Sequence, residues 1–241
     1  MKRTQRKILF GILITISVGI LFSAFSLNKT KPVQILEGEK DCVILLHGLA
    51  RSSSSMESLA EFLNSKGFKT VNIDYPSTKN DIETLSKLYL EPAIKHCGND
   101  KKINFVSHSL GGIIIRNFLA KTDVKNLGKV VMIAPPNNGS EIADILKNFK
   151  ITKWFFGPAL AQLGTDNESF TRKLPIPTYD VLVIAGNSPQ LILSEIIPGE
   201  DDGKVSVENT KIQNSDFLLI ESSHTFIMDD PNVKKAIVEY F

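Results

Sequence analysis

The chain is poor in the residues that metal centres and nucleic-acid surfaces need. Its 241 residues hold two cysteines, four histidines and one tryptophan. Neither cysteine has metal-ligand spacing, and His96-Cys97 alone makes no ligand set. Net charge is only +2, so no strong electrostatic partner is implied. No basic stripe with interleaved aromatics is present, which argues against nucleic acid as a partner. There is no internal repeat and no low-complexity segment. What remains is 42% hydrophobic and 22% charged, the balance of an ordinary globular chain.

The N-terminus stands apart from that chain. Lys2, Arg3, Arg6 and Lys7 precede an uncharged run from Ile8 to Leu27. A bilayer-spanning helix needs ~20 such residues, whereas the core of a cleavable signal is usually shorter. Residues 1–30 therefore read as a membrane anchor. A secretory signal is the alternative, with Ala24-Phe25-Ser26 as a small-x-small triplet for cleavage. The positive charges lie before the run, which sends residues 31–241 across the membrane, to a periplasmic or extracellular location. In an exported chain Cys42 and Cys97 are able to pair. Both are placed at the same edge of a parallel sheet.

Short apolar runs alternate with amphipathic stretches along the rest. Strands are expected at Cys42–Leu46, Phe68–Ile73, Ile103–Val106, Val130–Ile133, Val181–Ala185 and Phe217–Ile220. Helices are expected at Met56–Ser65, Asp81–His96, Gly112–Ala120 and over the last nine or ten residues. Asn28–Lys40 reads as a polar linker or first loop. This alternation predicts an α/β fold, a doubly wound and mostly parallel sheet with helices on both faces. Functional residues of such sheets gather beyond the C-terminal ends of the strands. His47, Asp74, Ser109, Asn137 and His224 all follow predicted strands.

The stretch Ser107-His108-Ser109-Leu110-Gly111-Gly112 lies between a strand and a helix. A sharp strand-to-helix turn holds its apical side chain strained and exposed, beside the free N–H groups of the helix start. The pattern G-x-S-x-G is met except that Ser107 replaces the first glycine. That position needs a small residue more than it needs glycine itself.

With His47-Gly48 after a strand, Ser109-Leu110-Gly111-Gly112 at the turn, an Asp-Gly loop and a late histidine, the chain resembles the α/β-hydrolase superfamily. Within it the chain is similar to lipase-like serine esterases. The resemblance covers roughly residues 41–241. Tyr75-Pro76-Ser77 and Pro135-Pro136-Asn137-Asn138-Gly139-Ser140 also resemble lipase-like sequences. It implies Ser109 as nucleophile and His224 as its base, in the chain order serine, acid, histidine. His47 is assigned to shaping its loop, His96 to the wrong end of the sheet, and His108 to the far side of the turn. The acid is Asp202, in Asp202-Gly203-Lys204-Val205, with Asp201 as the alternative. The backbone N–H groups of Leu49 and Leu110 are expected to form the oxyanion hole. No metal or cofactor is called for.

Between Ile133 and Val181 there are more residues than one crossover needs. Residues 141–178 are expected to form a small helical lid over an acyl-binding groove, or helices packed on the sheet. The resemblance implies a hydrolase of carboxylic, lipid-like or acyl esters working through an acyl-enzyme. A thioesterase or acyltransferase with the same triad is the second reading. A non-catalytic binding protein on this fold is a third, and it predicts a damaged triad.

Overall fold

The computed structural model describes residues 32–189 and 195–241. Its central strands are β2 (Lys40–Leu46), β3 (Phe68–Ile73), β4 (Ile103–His108), β5 (Leu127–Ile133) and β6 (Val181–Gly186). Their apolar runs are buried from both sides, as parallel strands under two helix layers must be. With β1 (Val33–Leu36) and β7 (Asp216–Ile220) they form a seven-stranded sheet. The strand order is β1-β3-β2-β4-β5-β6-β7. All neighbours pair in parallel except β1, which runs antiparallel to β3.

Two differences from the expected elements stand out. Residues 33–36, read as part of a linker, form the edge strand β1. At four residues, with three of them half-buried, it carries no hydrophobic period that separates it from a loop. The helix after the serine turn starts at Leu110 rather than Gly112, and β4 runs on to His108. Ser109 is thus the whole of the connection.

Helices cover both faces. α1 (Glu57–Ser65) and the C-terminal α8 (Pro231–Tyr240) lie on one face, where Leu59, Leu63, Val233 and Ile237 meet Val43, Leu45 and Val106. α2 (Ile82–Cys97) and α3 (Leu110–Leu119) lie on the other. Asp81 caps α2 by accepting from the Thr84 N–H at 2.8 Å, which satisfies one of the unpaired donors of its first turn. Cys97 at the end of α2 is disulfide-bonded to Cys42 in β2.

The long crossover folds into four short helices, α4 (Glu141–Leu146), α5 (Lys150–Phe156), α6 (Pro158–Ala161) and α7 (Phe170–Lys173). Ile142, Leu146, Leu160 and Leu163 are buried in the same cluster as the side chains of α2 and α3. Trp154 instead stands 80% exposed. Arg116 of α3 fastens both ends of the crossover. Its guanidinium donates to the Asn137 carbonyl at 3.0 Å and to the Leu174 carbonyl at 3.3 Å.

The anchor or signal expected over residues 1–30 lies outside the described residues. Among the described residues no helix is long and apolar enough to cross a membrane.

Candidate active site

The serine turn is built from β4 and α3. Ser109 has φ 51° and ψ −120°, a conformation that L side chains rarely adopt. Its N–H is held by the Ile133 carbonyl at 2.9 Å, and its carbonyl accepts from the Gly112 N–H at 3.0 Å. The strain is imposed by this framework. Gly111 is required because β2 passes close by. A Cβ there would stand 2.8 Å from the Leu46 carbonyl oxygen and 3.0 Å from that of His47. Ser107 fits where the pattern has glycine, since its Oγ faces the bare Cα of Gly112.

Two loops bring the partners of Ser109. His224 follows β7, and its Nε2 is 3.0 Å from Ser109 Oγ. Its Nδ1 is 2.7 Å from Asp202 Oδ2. The carboxylate accepts, so Nδ1 carries the proton and Nε2 presents its lone pair to the serine hydroxyl. Asp202 sits in a tight turn, where its Oδ1 accepts from the N–H groups of Lys204 at 3.0 Å and Val205 at 2.9 Å. Its carbonyl also accepts the His224 N–H at 2.9 Å. Acid and imidazole are therefore tied twice, through side chains and through backbone. Asp201, the alternative acid, is turned to its own loop, accepting from the Gly203 N–H at 2.6 Å. Burial raises its pKa.

Burial pushes the His224 pKa below its ordinary value, and the Asp202 carboxylate opposes that. Lys204 and Arg51 press it further down. The imidazole is neutral at neutral pH, which is the form that can take a proton from a hydroxyl.

The loop after β2 closes the other side. A Cβ on Gly48 would lie 2.9 Å from His108 Nδ1 and 3.3 Å from Ser109 Cβ, so this loop rests directly on the turn. The backbone of Leu49 is thereby held next to Ser109. Ala50 follows in a left-handed conformation at φ 54°, and its N–H donates to Ser77 Oγ at 3.0 Å. Leu110 is the first residue of α3, so its N–H belongs to the group that has no partner inside the helix. His47 stacks on Tyr75 with ring centroids 3.9 Å apart, and its Nδ1 donates to the Gly48 carbonyl at 2.9 Å. Burial brings its pKa down to about 4. His96 is exposed beside the disulfide, at the opposite end of the sheet.

One side chain departs from its expected place. His108 does not point away from the site. Its ring lies 4.8 Å from that of His224, and its Nε2 donates to the His224 carbonyl at 2.9 Å. Nothing in the local sequence carries that contact, which joins residues 116 positions apart.

Among the described residues no group of His, Cys, Asp and Glu could hold a metal ion. The family model described as "Putative serine esterase (DUF676)" matches residues 37–179, more than half of the chain. The chain belongs to this family. It is a carboxylic ester hydrolase of the serine-esterase kind on an α/β-hydrolase fold. Solved structures share that fold at low identity. A Bacillus licheniformis lipase, BlEst2 in mature form, is 20% identical with a TM-score of 0.66, over 87% of this chain and 98% of that one. A Paleococcus ferrophilus monoacylglycerol lipase is 19% identical with a TM-score of 0.57, over 87% and 98%. The phospholipase PlaB of Legionella pneumophila is 16% identical with a TM-score of 0.59, over 84% of this chain and 57% of that one. No curated protein sequence matches the chain.

Proposed function

We propose that this esterase cleaves carboxylic esters of acyl or lipid-like substrates through an acyl-enzyme formed on Ser109. The observation that carries the reading is the unbroken chain from Ser109 Oγ to His224 Nε2 at 3.0 Å and from His224 Nδ1 to Asp202 Oδ2 at 2.7 Å. In the first step Ser109 Oγ attacks the ester carbonyl carbon while its proton passes to His224 Nε2. Asp202 keeps the imidazole in the required tautomer and stabilises its cation. The N–H groups of Leu49 and Leu110 receive the oxyanion. Collapse of the tetrahedral intermediate breaks the bond to the alcohol oxygen, which leaves with the proton from His224. Water then repeats the sequence on the acyl-enzyme and releases the acid.

A purely binding role has no use for a strained serine hydrogen-bonded to a neutral, oriented imidazole. The apolar crossover helices beside the site suit an acyl chain, and residues 141–178 form the small lid of this reading. The disulfide between Cys42 and Cys97 supports export to an oxidising compartment. Residues 1–30 then act as anchor or signal, and residues 31–241 as the hydrolase domain outside the cytoplasm.

Hydrolysis of 4-nitrophenyl esters by wild type and Ser109→Ala tests the reading. The variant is expected to lose at least ~10⁴ of kcat, as other serine triads do. Equal rates for the two proteins would reject it. Product analysis with an added alcohol separates hydrolysis from transfer: this reading expects free acid, and an acyltransferase would leave ester on the acceptor.

A further inference from the structure

Helix α5 packs one side onto the crossover and leaves an aromatic and basic side uncovered. Thr152 is buried, with its Oγ1 donating to the Phe149 carbonyl at 2.8 Å, and Phe156 packs against the core. At ~100° per residue, Lys150 and Trp154 project from the opposite side, flanked by Ile151 and Lys153. All four are exposed, and Trp154 is the most exposed large apolar side chain among the described residues. Tryptophan is ordinarily buried for most of its area.

The two lysines keep their charge. Between Ile145 and Thr165 the sequence has Lys147, Lys150 and Lys153 and no acid. Acids elsewhere in the crossover and at the start of α2 are engaged. Asp144 and Asp166 hold Lys147 at 2.6 and 3.2 Å, and Glu168 holds Lys173 at 2.7 Å. Glu141 accepts from Ser206 and Asn209, Asp81 caps α2, and Glu83 accepts from Gln162 at 2.7 Å. Neither Lys150 nor Lys153 has a carboxylate partner among the described residues.

A second observation is the place where the chain enters the domain. β1 runs antiparallel to β3 with Val33 opposite Ile73, so Pro32 lies at the rim where Ser109 and His224 meet. The Asp74 N–H donates to the Pro32 carbonyl at 3.0 Å. The loop that starts with Asp74 also reaches α5 and the site. A Cβ on Gly157, just past α5, would overlap the Thr78 carbonyl oxygen, and Ser77 Oγ accepts the Ala50 N–H at 3.0 Å. From Asp74 to Thr78 is at most ~14 Å of extended backbone. Leu27, the end of the uncharged run, is joined to Pro32 by at most ~18 Å of chain. A run held in a bilayer therefore keeps this rim, and α5 with it, at the membrane surface.

We propose that α5 is a second membrane contact, made with a bilayer that contains anionic phospholipid. Trp154 and Ile151 enter the acyl boundary, and Lys150 and Lys153 meet the lipid phosphates. The contact turns the rim of Ser109 and His224 toward the bilayer. This rests on the anchor reading of residues 1–30 and uses nothing of the triad.

Trp154 reports on its own position, being the one tryptophan of the chain. The full chain is reconstituted in vesicles of phosphatidylcholine, with or without phosphatidylglycerol. Flotation shows that the chain is held, and lipid brominated near the top of its acyl chains serves as quencher. In the anionic vesicles Trp154 emission is expected to shift to the blue and to be strongly quenched, and far less so in phosphatidylcholine alone. Lys150→Gln/Lys153→Gln should weaken the contact by roughly 30-fold, about fivefold for each lysine, and bring quenching down to the phosphatidylcholine level. Lys121→Gln/Lys125→Gln removes the same charge at the other end of the sheet, between α3 and β5, and should quench like wild type. If wild type floats but Trp154 stays unquenched in both vesicles, the inference is wrong while the anchor stands. Quenching that is equal in both vesicles, or kept in Lys150→Gln/Lys153→Gln, overturns the role of the charge. A blue shift that grows with protein density and without quenching gives α5 to a second copy instead. If wild type does not float with phosphatidylcholine, the anchor reading fails and takes this one with it.

Discussion

His108 holds the backbone of His224: its Nε2 donates to the His224 carbonyl at 2.9 Å, and the two rings lie 4.8 Å apart. The residue before the proposed nucleophile thus fixes the loop that delivers the proposed base. Both side chains are buried. Because the carbonyl accepts, the His108 proton is on Nε2, and burial with the neighbouring His224 keeps the ring neutral.

Replacing that donor should therefore reach the chemistry without touching substrate. His108→Ala is expected to lower kcat by about 10- to 100-fold, the cost of a small misplacement of a reacting group, with KM little changed. His108→Gln, which restores a donor, should recover part of it. A rise in KM at unchanged kcat would place His108 in substrate binding instead.

The acid limb of the pH profile follows from the environment of His224. Its neutral form is the active one, so kcat/KM should fall as pH drops through its pKa. Burial, Lys204 and Arg51 lower that pKa, so the limb lies below the ordinary histidine value of 6.5. Lys204→Met removes one of the lowering charges, so its limb should move to higher pH. A shift to lower pH would contradict this electrostatic picture.

Gly111→Ala tests the close passage of β2 beneath the turn. The added Cβ meets backbone oxygens at 2.8 and 3.0 Å, and backbone cannot step aside as a flexible side chain does. A destabilisation of about 1–3 kcal/mol is expected from such overpacking, read from urea unfolding, together with a large loss of activity. An unchanged midpoint would show that the strand and helix separate freely.

The disulfide should act on stability and leave the chemistry alone. Cys42 and Cys97 are 55 residues apart, so breaking the bond frees a long loop in the unfolded chain. The expected loss is about 2–4 kcal/mol in the Cys42→Ser/Cys97→Ser protein. Since the bond lies at the far end of the sheet from Ser109, kcat should hold where the protein is folded. A collapse of kcat in folded protein would tie the two ends together.

How far the sequence reached depends on the kind of signal. Strands such as Val43–Leu46 and Val181–Ala185 are unbroken apolar runs, short and alternating with amphipathic helices, as a sheet covered on both faces produces, so the α/β architecture was legible. Strand ends then pointed to one rim, and Ser109, Asp202 and His224 come from that rim into one hydrogen-bonded row. Edge strand Val33–Leu36 was not legible because four residues, three half-buried and one exposed, carry no period. Asp201 and Asp202 look alike in a row of acids, and only the turn that aims one carboxyl at His224 separates them. The contact of His108 with His224 is a tertiary fact with no local pattern.

In the proposed mechanism Ser109 is the nucleophile and His224 activates it. Peptide mapping by mass spectrometry after treatment with a fluorophosphonate tests it most directly. A single phosphonyl adduct is expected on Ser109, absent in Ser109→Ala and formed far more slowly in His224→Gln. An adduct on Ser107 or elsewhere, or none on the folded wild-type protein, would contradict it.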